Sequence, residues 1–200
     1  MRIVRRRETL AVLTLATLLT LAGCSGEGGS APRPTEPAAT SASPTATTSS
    51  PAPSPSTSPT APSAPETMSA GDLDGAKAAA EHFMALYTYA RVSGDPAQLS
   101  AMSGTECSTC AAIVAQVDSA GANGHSATGY EVEIREAIAT ELVAGETYTV
   151  EMKATEGPAT VHDRSGNVVA ESEETRRVLR MGLRWSGRWT VEALSVEADA

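Results

Sequence analysis

The chain has 200 residues, of which 41% are hydrophobic and only 4% aromatic, and a formal net charge of −9. That acidity argues against nucleic acid as a partner, because a phosphate backbone selects basic surfaces. Ten of the twelve prolines lie between residues 25 and 70, which leaves about 130 residues of ordinary composition after them, enough for one compact domain with a single core.

At the N-terminus, Arg2, Arg5, Arg6 and Arg7 precede an apolar stretch from Leu10 to Ala22. This is the charged-then-apolar order of a secretory signal, and it is short for a bilayer span. Leu21-Ala22-Gly23-Cys24 follows, and it resembles the lipobox of bacterial lipoproteins, in which small residues precede a cysteine that receives a diacylglyceryl group and becomes the new N-terminus. The resemblance implies a signal peptide over 1–23, lipidation at Cys24 and a location on the extracytoplasmic face of the cell membrane. The competing reading is an ordinary secreted protein cut near Ala22, with Cys24 left as a spare thiol. The arginine run also hints at twin-arginine export. Residues 1–23 carry four Arg and one Glu, so their removal takes the net charge to −12. Anionic head groups repel a domain of that sign, so the lipid, not the protein surface, would hold the chain to the membrane.

Residues 24–70 are expected to be the lipidated cysteine and a disordered stalk rich in Pro, Ser, Thr and Ala. Repeated proline favours extended polyproline II, and at roughly 3 Å per residue the stalk would reach on the order of 140 Å when fully stretched. It reads as a spacer, and its Ser/Thr-Pro tracts are also plausible O-glycosylation substrates.

Residues 71–200 form the expected domain. Asp72 can cap a helix whose apolar positions Ala76, Ala80, Phe83, Tyr87 and Ala90 recur at three- and four-residue steps until Gly94. Asp95-Pro96 predicts the cap and first position of a short second helix carrying Leu99 and Met102. A third helix is expected from near Cys107 to the Gly121–Gly124 stretch. The period then changes from helical to alternating. Tyr130, Val132 and Ile134 face one way on a first strand, and Tyr148, Val150 and Met152 do so on a second. Turn signals at Gly157-Pro158 and Ser165-Gly166-Asn167 precede a long strand from about 173 to 185, and a last strand from 188 to about 197 carries an expected bulge at Ala193. Helices first and antiparallel strands afterwards predict an α+β domain with the helices packed on one sheet face.

The closing hairpin Trp185-Ser186-Gly187-Arg188-Trp189-Thr190-Val191, placed after a long strand and three helices, resembles the end of NTF2-like (cystatin-like) domains. The resemblance implies a curved sheet wrapped around a long helix, often with an apolar pocket between them. Gly94-Asp95, Leu99, Cys107-Ser108-Thr109-Cys110 and the Gly121–Gly124 break, together with the lipobox and stalk, resemble a family of uncharacterised actinobacterial lipoproteins. That resemblance implies lipidation at Cys24, pairing of Cys107 with Cys110 and the NTF2-like architecture, and it carries no established activity.

The CxxC at Cys107 and Cys110 admits three readings: a structural disulfide, a redox-active pair and half of a metal site. Export favours the disulfide. A thioredoxin-like site would need a strand feeding directly into the CxxC helix, and here a short helix and Met102-Ser103-Gly104 precede it. His82, His125 and His162 lack ligand spacing, so no metal and no cofactor is expected. Tyr87, Tyr130, Tyr148 and His162 are the polar groups to test for chemistry inside a cone of the ketosteroid-isomerase kind, although each tyrosine is in phase with its own apolar stripe. Arg176, Arg180 and Arg184 share one face of the long strand, where Glu151, Glu192, Glu131 and Glu133 are available for cross-strand pairing. The expected function is a non-enzymatic binding module of the cell envelope for a small apolar ligand or an envelope protein. The alternative is a thiol-disulfide oxidoreductase acting on exported proteins through Cys107 and Cys110.

Overall fold

A computed structural model of the chain describes residues 59–199. Cys24, the expected signal and the stalk as far as residue 58 lie outside the described residues. Three helices, α1 (Leu73–Ser93), α2 (Ala97–Met102) and α3 (Ser108–Asn123), come first. Seven strands follow: β1 (Ser126–Gly129), β2 (Val132–Val143), β3 (Thr147–Glu156), β4 (Ala159–His162), β5 (Val168–Ser172), β6 (Thr175–Trp185) and β7 (Trp189–Ala198). This is the α+β order expected from the sequence.

The local signals explain the helix ends. Asp72 accepts a hydrogen bond from the Gly75 amide at 2.8 Å, and Gly94 takes the left-handed conformation (φ 73°) that ends α1. Asp95 accepts from the Ala97 amide, so α2 begins one residue later than expected. Gly124 repeats the left-handed exit for α3.

The strands form two antiparallel sheets, ordered β2-β3-β6-β7 and β1-β4-β5. The smaller sheet prolongs the larger one. Strands β1 and β2 are separated only by Tyr130-Glu131, β3 and β4 only by Gly157-Pro158, and β5 and β6 only by Glu173-Glu174. Val132 pairs with Glu156 on one side of the break and Gly129 with Ala159 on the other, while the Gly157 amide donates to the Glu131 carbonyl between them. Three neighbouring strands therefore break along one line.

Tyr130 lies at that break, not in the strand expected for it. Its φ of 65° is the one positive value among the described non-glycine residues, so its side chain leaves the alternation that Val132 and Ile134 keep. His162 ends β4. The bulge in β7 falls one residue before the expected Ala193. Ala193 pairs with Gly182 and Val191 with Leu183, which leaves Glu192 as the extra residue.

The core lies between the helices and the concave face of the larger sheet. Ala76, Ala79, Ala80, Phe83 and Ala90 of α1 are fully buried, and the run of alanines lets the helix approach the sheet closely. Tyr148, Val150 and Met152 of β3 and Leu179, Met181 and Leu183 of β6 meet them. The loop between α2 and α3 is tied to the β7 edge by the Gly104 amide, which donates to the Val191 carbonyl at 2.8 Å.

Residues ahead of 71 also pack against the domain. Glu66–Ser69 forms a 3-10 turn, the Met68 side chain packs against the core, and Trp189 Nε1 donates to the Met68 carbonyl at 3.0 Å. Composition alone places these residues with the stalk, because the aromatic groups that hold them are more than 70 positions away in sequence.

Candidate functional site

The helix layer does not cover the whole concave face. Toward the line of strand breaks, α1 and α3 leave a cavity of about 190 Å³, walled by Met84, Ile113, Val132, Leu179 and Leu194. Its rim is polar. Tyr87, on the inward stripe of α1, donates its hydroxyl to Glu156 Oε1 at 2.7 Å. Burial and then the Glu156 carboxylate hold the Tyr87 phenol well above its ordinary range, so it remains a protonated donor.

Arg177 also lines this cavity. On β6 the odd positions Leu179, Met181 and Leu183 face the core, and Arg177 shares their parity. It is half-buried and joins none of the ion pairs formed among the described residues.

A second cavity, of about 250 Å³, lies between the C-terminal ends of α1 and α3 and the strand β1, with Val117, His125 and Tyr130 in its lining. Arg91 lines this second cavity. Its guanidinium lies 4.5 Å from the centre of the Tyr130 ring, donates to the Tyr130 hydroxyl at 3.0 Å and donates to Gln116 at 3.1 Å. The Thr88 hydroxyl donates to the Tyr130 carbonyl at 2.8 Å. These contacts offset the cost of the left-handed backbone at Tyr130, about 1–3 kcal/mol for such a residue.

The residues singled out in the sequence do not converge. Cys107 and Cys110 form a disulfide at the start of α3, with exposures of 2% and 0%. Tyr87 and Tyr130 meet edge to face, whereas Tyr148 lies elsewhere in the core against Trp189, and His162 lies on β4 near the Gly166 carbonyl. Among the described residues no cluster of His, Cys, Asp and Glu has the geometry to hold a metal ion. Of the outward arginines, Arg180 pairs with Glu151 and Glu197 and Arg184 with Glu192, while Arg176 joins none of the ion pairs formed among the described residues. Sequence reasoning weighed these and passed over Arg177. The signal was present in the parity of β6, since a charged residue in phase with Leu179 and Met181 faces the apolar side.

Comparison with known proteins places the chain as follows. The model of a family described as "Family of unknown function (DUF6318)" matches residues 44–195. No curated protein matches the sequence. Among solved structures, the intermembrane-space region of the chloroplast protein ARC6 is similar at TM-score 0.50 and 16% identity, over 64% of this chain and 98% of that one. A structure from Catenulispora acidiphila is similar at TM-score 0.40 and 13% identity, over 62% and 92%. An NTF2-like protein with a cystatin-like fold from Novosphingobium aromaticivorans is similar at TM-score 0.36 and 18% identity, over 62% and 79%.

Proposed function

The chain belongs to the DUF6318 family of unknown function, and from that starting point we propose that it is a lipid-anchored, extracytoplasmic binding module whose ligand enters the cavity between α1, α3 and the concave sheet face. One observation carries the reading: a cavity of about 190 Å³ stays open between α1, α3 and the concave sheet face. An open, mostly apolar cavity with a few polar groups at its rim is the usual form of a small-molecule site. It favours a small ligand over a docked protein as the occupant.

The anchor rests on the lipobox resemblance at Cys24. No described helix is long and apolar enough to cross a membrane. The thiol-disulfide alternative has little support, since exchange requires a thiolate to reach a sulfur and both sulfurs belong to residues almost completely removed from solvent.

Two measurements test the proposal. Fractionation of cells carrying Cys24→Ser should move the protein from the membrane to the soluble extracytoplasmic fraction, and retention at the membrane would overturn the anchor. Titration of the full chain with small amphipaths should shift its thermal midpoint upward, and a substitution that fills the cavity, Ala154→Leu, should remove the shift. An equal shift in the filled variant would overturn the site.

A further inference from the structure

Resting on the cavity as a ligand site, we infer that its ligand is an amphipathic monoanion, with an apolar body inside the cavity and a carboxylate on Arg177. The size of the body follows from the volume. An apolar cavity of roughly 150 Å³ accepts benzene, so 190 Å³ suits a ring or chain of about six to eight carbons.

The head group follows from the charges. The chain has more carboxylates than cations, and three described arginines pair with them: Arg135 with Asp199 at 2.9 Å, Arg180 with Glu151 at 2.8 Å, and Arg184 with Glu192, while Arg177 is the one described arginine in the lining of this cavity. Arg177 is half-buried on the apolar face and takes no such partner. A guanidinium withdrawn from water without a carboxylate is costly, and a bound carboxylate would meet its planar pair of donors with two parallel hydrogen bonds.

Glu156, the acidic group in the lining of this cavity, accepts from Tyr87 and forms no ion pair with Arg177 among the described residues. A cationic head group would lie against Arg177. A neutral one would bring no countercharge to the guanidinium.

Calorimetric titration of the full chain with octanoate, octanol and octylammonium distinguishes this inference from the reading beneath it. Octanoate should bind about tenfold or more tighter than octanol, and Arg177→Gln should remove that preference. Octanol binding to the variant also reports that its cavity is intact. Equal affinity for octanoate and octanol, or an unaltered preference in Arg177→Gln, would overturn the anion assignment and leave the cavity as a site. Failure of all three probes to bind the unaltered chain would overturn both.

Discussion

The hydroxyl of Tyr148 donates to the carbonyl of Gly71 at 2.6 Å, joining β3 to the residue before the α1 cap across 77 positions of sequence. The same short segment lies against both tryptophans. Trp189 donates to the Met68 carbonyl, and a Cβ at Gly71 would run into the indole ring of Trp185. The end of the apparent stalk is therefore a clamped part of the domain.

Gly71→Ala should destabilise the domain by about 1–3 kcal/mol, because the added methyl must displace a packed indole. A chain beginning at residue 71 should lose a comparable amount, about 2 kcal/mol, through the exposed Met68 contact surface and the lost Trp189 hydrogen bond. Urea unfolding followed by tryptophan fluorescence measures both. Unchanged midpoints would show that the clamp contributes nothing.

The disulfide closes a very short loop, and the loop-length relation gives it about 2 kcal/mol. Cys107→Ala with Cys110→Ala should lower stability by about that amount and leave ligand binding in place, since neither residue lines the cavity. Burial also predicts that the bond resists reductant in the folded protein and yields only on unfolding. Rapid reduction under native conditions, with turnover of a disulfide substrate, would revive the oxidoreductase reading.

His82 is buried on α1, and burial holds its imidazole below the ordinary value of 6.5. The unfolded chain therefore binds the proton more readily than the folded one. Stability is retained above pH 6.5 and is lost as the pH falls below that value toward the lower folded one. His82→Gln should flatten this part of the acid limb. Urea midpoints at several pH values between neutrality and mild acid measure it, and identical slopes in the two proteins would remove His82 as the cause.

Tyr130 pays for a left-handed backbone with its contacts to Arg91, Thr88 and Tyr87. Tyr130→Ala forfeits the side-chain contacts and keeps the unfavourable φ, whereas Tyr130→Gly forfeits the same contacts without that penalty. The glycine variant should be the more stable of the two by about 1 kcal/mol, the reverse of their usual order in a strand. Alanine proving equal or better would mean that the break is not locally strained.

Much of the architecture was legible because its causes are local. Asp72 and Gly94 bound α1 through hydrogen bonding and φ preference within a few residues, and the alternation of Val150 with Glu151 marks a half-buried strand from side-chain parity alone. Other features were hidden because they depend on partners distant in the chain. The line of breaks at Tyr130, Gly157 and Glu173 needs three strands in register. The clamp on Met68 and Gly71 needs Tyr148, Trp185 and Trp189 brought to one end of the sheet.

The sequence by itself determined the α+β order, the limits of α1 and the place of the two cysteines at the start of α3, since each rests on composition, capping or short-range spacing. Only the tertiary structure decided that Met68 and Gly71 pack against the sheet, that the disulfide is buried, and that Arg177 lines a cavity without an ion-pair partner among the described residues. A pairing is a property of two residues and the space between them. That space exists only once the helices have been laid against the sheet.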